Sequence, residues 1–296
     1  KMGLSDAKIA KLSSKTTYYI NPFDMVSSLN RTKPLDQQFG TVKVIVPLHY
    51  STSFDSPNAH MFGVYQINAN GEPLVASANF HPELLTASQK LAVLNHKAIA
   101  KLKNLGFSDD LIASFFNGDI SIRVGAASTI WQEYIKEYQD IITETRAASI
   151  KWNLENIPKY AARIRSASGA ERIRLRSELL QASAQQAIFE MEDQMKTLKD
   201  TLSNAKDEVR AIFSQTEHEV LSMCRYLNVS EASALLSEIR VSRAWDDGVE
   251  AETLTAARNF SNDITNFSHG LVEAAAQLEA VDQQEASLIN SLIGGS

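Results

Sequence analysis

The chain has 296 residues, 44% hydrophobic and 22% charged, with a formal net charge of −6 and one cysteine, Cys224. Those totals suit a soluble globular protein of one large or two ordinary domains. They exclude an intramolecular disulfide framework, a bilayer-spanning run of roughly eighteen apolar residues, and a protein that coats nucleic acid generally. The charge is uneven: residues 1–120 carry +2, residues 121–176 carry +4 and residues 177–296 carry −12. That makes the molecule dipolar, which bears on association more than on fold.

The first stretch, "KMGLSDAKIAKLSSK", is amphipathic and lacks the apolar centre of a secretory signal. The expected location is the cytoplasm, or outside the cell by a route that reads no such signal, and not within a membrane. "NPF" at 21–23 is read as a turn starter. Residues 1–120 hold six of the seven prolines, and their apolar runs are short. "TVKVIVPL" (41–48) is β-branched and predicts a strand cut at Pro47. Residues 61–80 predict a β-hairpin turning at Asn70-Gly71. Pro82 fits the first position of a helix running to about Gly106, whose lack of a Cβ suits a left-handed cap. Ser108 predicts the cap of a shorter helix through Phe115 and Phe116, closed by Asn117-Gly118.

From about residue 125 the period changes. Trp131, Tyr134, Tyr138, Ile141, Thr145, Ala148 and Trp152 recur at steps of three or four, the stripe of a helix that buries one face. A second run goes from Leu180 to Leu227, and a third from Ala257 through Phe260, Ile264, Phe267 and Leu271 to Leu278. Pro158 is expected to kink or interrupt the first rod near Asn156. Ser168 and Glu171 match a capping box that starts the second. Asn228 marks a restart, and Asp246 or Asp247 caps the third rod. The fold expected is mainly α: an elongated bundle of three long coiled-coil-like helices over 121–296, with a small α+β head over 1–120.

"ARIRSASGAERIRLR" (162–176) is the densest positive stretch. Lys159, Arg163, Arg165, Arg172, Arg174 and Arg176 gather where the first rod turns into the second. Two readings stand: solvated cations around a small-residue elbow, or a tip that binds a partner. Arg163 and Arg165 suit a helix carboxyl end, whereas Arg172, Arg174 and Arg176 oppose the dipole of the next helix. The stretch lacks aromatics that would stack on bases.

For chemistry, His49, His60 and His81 are the candidates for a metal or acid–base site in the head, in a spacing that matches no signature. His218 and Cys224 fall on different sides of a helix, and Cys224 beside Met223 reads as packing. No glycine-rich phosphate loop is present. In architecture the chain resembles helical-rod proteins with a small mixed head: subunits of helical pore-forming toxins, tip proteins of bacterial injection machines, and phage structural or ejection proteins. No motif selects one of these.

The expectation is a non-enzymatic protein, without cofactor, that works through homo- or hetero-oligomeric contact with protein. An anionic membrane surface is a further partner, and nucleic acid comes last. The alternatives are a membrane-acting toxin subunit and a metal or hydrolytic site in the head.

Overall fold

The computed structural model describes residues 5–23, 39–50, 66–67, 73–116, 120–222, 228–238 and 241–293. His60, Asn70-Gly71, Asn117-Gly118 and Cys224 lie outside them. The protein is mainly helical. In chain order the elements are α1 (Asp6–Lys15), β1 (Thr17–Ile20), β2 (Thr41–Val44), α2 (Pro82–Asn104), α3 (Asp109–Phe116), a 3₁₀ turn (Ile120–Ile122), α4 (Ala126–Ile164), α5 (Gly169–Ser222), α6 (Val229–Glu238), α7 (Val241–Ala244) and α8 (Asp247–Ile293). Packing divides the chain into two compact units. The first is Lys1–Gln186 with Ser268–Ser296, and the second is Ala187–Phe267. The change of texture near residue 120 falls inside the first unit.

The first unit contains the β layer. β1 pairs in parallel with β2, Thr17 opposite Thr41 and Ile20 opposite Val44. The other edge of the 44–46 segment pairs antiparallel with 74–76, through Val46 N–H to Leu74 O at 2.8 Å and Ala76 N–H to Val44 O at 2.8 Å. The Thr17–Ile20 strand has little sequence signature, because "TYYI" is only four residues long and shows no alternation of apolar and polar side chains. Within the expected 61–80 hairpin, Ile67 bridges Pro73 antiparallel. Gly40 enters β2 at φ +82°, and a Cβ there would come within 2.7 Å of Thr16 O. Only glycine fits both the angle and the space.

α2 opens at Pro82 and closes as the sequence indicates: Phe107 N–H reaches Leu102 O at 3.1 Å and Gly106 N–H reaches Lys103 O at 2.9 Å. With Gly106 at φ +84°, this is a Schellman closure. Ser108 Oγ accepts Leu111 N–H at 3.3 Å and so starts α3.

α2 lies antiparallel to α4. The ion pairs Lys90–Glu144, Lys97–Glu137 and Lys101–Glu133 mark one register along the outside, and being exposed they add little energy. The energy comes from the inner faces: Leu84, Leu91 and Leu102 from α2, and Tyr134, Tyr138 and Ile142 from α4, are all buried. Tyr134 places its hydroxyl on Asn95 Oδ1 at 2.7 Å, so the ring is buried without an orphaned donor. Phe115 and Phe116 of α3 cap this layer edge-on against Trp131 and Tyr134.

α4 runs through Pro158 for 39 residues without interruption, where a kink or a break is expected. The N–H that Pro158 lacks would have paired with the carbonyl of Leu154, and Leu154 is exposed, so water can serve that carbonyl. Glu171 also departs from expectation. Its carboxylate goes across the turn to Arg163 rather than back to Ser168. The reciprocal box forms at α6 instead, where Asn228 Oδ1 accepts Glu231 N–H and Glu231 Oε2 accepts Asn228 N–H.

The long helices number 39, 54 and 47 residues. In the second unit α5 and α8 run antiparallel, tied by Lys206 to Asp247 and Glu250 at 2.7 Å each and by Ser261 to Met191 at 2.8 Å. Asp246 caps α8 through Gly248 N–H at 2.8 Å and Val249 N–H at 3.2 Å.

Replacing Gly40 by alanine should destabilise the first unit by at least about 2 kcal/mol, from left-handed strain plus the approach to Thr16 O. Thermal unfolding followed by circular dichroism checks this, with a fall of several degrees expected. Gly270→Ala, where the added Cβ meets nothing, is the control and should not lower the midpoint.

Candidate functional site

Three places could do work: the basic elbow, a buried polar centre in the first unit, and the seam of the second unit.

The elbow joins α4 to α5. Tyr160, Ala167 and Leu175 form its small core, with Trp152, Ile164 and Leu179 packed around them. Burial pushes the Tyr160 phenol up to about 12, and the Glu178 carboxylate adds to the effect. All six basic residues, Lys159, Arg163, Arg165, Arg172, Arg174 and Arg176, are exposed. Arg163 pairs with Glu171 at 2.7 Å and Arg174 with Glu178 at 2.7 Å. Arg172 donates from Nε to Ala167 O at 2.7 Å. Two of the three arginines that oppose the α5 dipole thus have local partners. Lys159, Arg165 and Arg176 have no ion pair among the described residues. Half of the cluster builds the turn, and half is left facing solvent.

The polar centre sits where the start of α2, the middle of α4, the 47–50 segment and α5 meet. His81 precedes α2 with φ 51° and ψ 52°, a left-handed conformation that histidine adopts at a modest cost. Its ring is 1% exposed, lies 4.2 Å from the Trp152 ring and meets Phe80 edge-on at 4.6 Å. His81 Nδ1 bonds Glu83 Oε1 at 2.8 Å, and Ser149 Oγ donates to the same oxygen at 2.6 Å. Tyr50 OH completes the chain to Ser149 Oγ at 2.8 Å. One turn along α4, Asn153 Nδ2 donates to Gln185 Oε1 at 3.1 Å, and Gln185 Nε2 donates to Pro47 O at 3.0 Å.

Burial works against the charge on Glu83. The hydrogen bond and charge of His81 and the bond from Ser149 more than offset it, so the carboxyl lies below its ordinary 4.5. Burial, then the nearby Glu83 charge, raises the Tyr50 phenol. Serine as a nucleophile needs a neighbouring base that takes its proton and then yields it. Here Ser149 donates to the acid, and His81 touches the acid, not the serine. The arrangement clamps four segments together.

His49 is half-buried and is not among the residues joined to His81. Among the described residues no three His, Cys, Asp or Glu side chains gather as metal ligands. A shallow depression of about 400 Å³ lies where the end of α2 meets the start of α4, and the satisfied Lys101–Glu133 pair lines it. No helix among the described residues is long and apolar enough to cross a membrane.

The seam of the second unit is the third place. On α5, Met195, Leu198, Leu202, Ala205, Val209 and Val220 follow the expected rhythm, and all are only half-buried. Ile212 is 57% exposed, and on α8 Phe260 is 54% and Phe267 60% exposed. The phenylalanine spacing reads as core in the sequence. The structure turns both rings outward, because α5 covers the side of α8 that carries Ser261.

Glu83→Gln should cost about 2–4 kcal/mol at neutral pH, since it removes a buried charge that two donors were placed to meet. A carboxyl whose folded pKa is depressed contributes stability above its ordinary pKa, and that contribution is lost as pH falls through the lower folded value. The gap between wild type and Glu83→Gln should therefore be widest at neutral pH and shrink as pH drops below 4.5. Urea unfolding across the acid range measures it.

Compared with known proteins, the chain matches no family model, no curated protein and no solved structure.

Proposed function

We propose that the protein is a non-enzymatic assembly component, and that its long helices pair in coiled-coil fashion with helices of a further subunit. The observation that supports this is the half-buried seam of α5 between Met195 and Val220, with Ile212, Phe260 and Phe267 left exposed nearby. Side chains at helical spacing reach native burial when flanked by more than one neighbour, and a third or fourth helix supplies it. The wiring of Ser149, Glu83 and His81 favours a structural over a catalytic role for this buried serine–histidine–acid group. The cations left over at the elbow, Lys159, Arg165 and Arg176, provide a second contact surface on this reading.

The simplest form of this assembly is self-association. Sedimentation velocity over a wide concentration series should show mass above that of a monomer. Ile212→Glu with Phe260→Glu should weaken association at least about tenfold, as expected for charge placed in an apolar contact. Both positions are exposed, so the variant should keep its helical signal. A wild type that sediments as a monomer throughout, or a variant that associates as tightly as wild type, contradicts the reading.

A further inference from the structure

Among the described residues, α1 and one side of α8 present exposed helical faces of opposite chemistry. The first is α1. Each residue from Asp6 to Leu12 is exposed, and α1 buries none of its ten. A helix of that length with no packed face is marginal in water. Ile9 is 41% and Leu12 52% exposed. On a helical projection Lys8, Lys11 and Lys15 share a stripe directly beside Leu12. None of these lysines has an ion pair among the described residues. The face is basic and apolar, and it is held to the chain after it by Ser13, whose Oγ accepts Gly40 N–H at 2.8 Å.

The second face is on α8. Val249, Glu252, Ala256, Phe260, Asp263 and Phe267 follow one another at steps of three and four, and all six are exposed. The apolar members fall on one line, with both acids to the same side of it. Glu252 and Asp263 lack ion pairs among the described residues. The second unit as a whole carries 15 acidic and 8 basic side chains. The stripe lacks what α1 offers: an apolar edge with a row of cations at its side.

We infer that α1 of one copy docks on the Val249–Phe267 stripe of a second copy, Ile9 and Leu12 against Phe260 and Phe267, the lysines against Glu252 and Asp263. The inference rests on the assembly reading and names its partner. It is a helix laid along an apolar ridge, with flanking charges that set register and partner choice. One ten-residue helix covers less than the roughly 1,000 Å² a specific interface clears. Two-fold symmetry removes the difficulty, because each copy gives one helix and receives one, so the contact forms twice in a closed dimer. The flanking pairs are exposed to salt, so the association should be sensitive to ionic strength.

The test is charge reversal and its rescue in the full-length chain, read by sedimentation equilibrium. Lys8→Glu with Lys11→Glu and Lys15→Glu should raise the dimer dissociation constant by about tenfold or more at low salt, as like charges facing each other across a contact do. Glu252→Lys with Asp263→Lys should do the same. Combining the five changes should return the constant to within about threefold of wild type, since the pairs are restored with sign reversed. All five positions are exposed, and circular dichroism confirms that each variant folds. Association that persists unchanged through either reversal overturns the α1 docking and leaves the assembly reading standing. Association lost in the single-face variants and not restored in combination overturns the pairing. A wild type that is monomeric at every concentration overturns both readings.

Discussion

Two helices touch along one line, and that geometry limits how dry their seam can be. A side chain on the line is covered from the front by its neighbour and left open at the flanks. Leu198, Leu202 and Val209 show the result, sitting at helical spacing yet half-exposed. In the first unit the same kind of helix has neighbours on several sides. There Tyr134, Ile142, Leu175 and Ile141 are buried, and burial of such side chains is worth roughly 1.5–3 kcal/mol each. The seam beyond Met195 is thus less covered than the core of the first unit, whereas Ile188, Phe189 and Met191 at the start of the second unit are buried. The proposed function follows from that difference.

Polar side chains add a second contrast. The interior of the first unit carries Ser149, Asn153, Ser177, Gln181, Gln185 and Ser268, all buried. Several are joined: Ser177 to Glu279, Asn153 to Gln185, and Ser149 to Glu83. The amide of Gln181 has no hydrogen-bond partner among the described residues. Buried amides specify a register at some cost in stability. They fix how α4 and α5 meet, which apolar residues at the same spacing would leave free to slide.

Much of the helical architecture was legible from residue type alone. Pro82, Gly106, Ser108 and Asp246 each have a local chemical reason to start or stop a helix, and each does so. The rhythm through Tyr134, Tyr138, Ile141 and Thr145 marked the inner face of α4. What failed was tertiary in origin. Pro158 reads as a kink or a break, yet the helix runs on through it, and Leu154, whose carbonyl loses its partner there, is exposed. Phe260 and Phe267 read as core because spacing reports a face and not what covers it. The centre at His81 was half visible: "HPE" sets a histidine and an acid across a helix start, and Ser149 and Asn153 continue the Thr145 row. That Ser149, 66 positions from Glu83, would meet the same oxygen is set by the α2–α4 register. Composition alone marks the basic elbow, whereas the division of labour among its arginines is set by the turn that brings Arg163 to Glu171 and Arg172 to the Ala167 carbonyl.

The proposed assembly requires the α5–α8 seam of the second unit to be incomplete in a single copy. Hydrogen–deuterium exchange of the full-length chain, at high dilution and again at high concentration, measures that directly. The seam amides of 195–220 and 249–267 should exchange orders of magnitude faster than those of α2 and α4 when dilute, as weakly packed segments do, and slow when the chain is concentrated. Seam amides as protected at high dilution as those of α2 and α4 would contradict it.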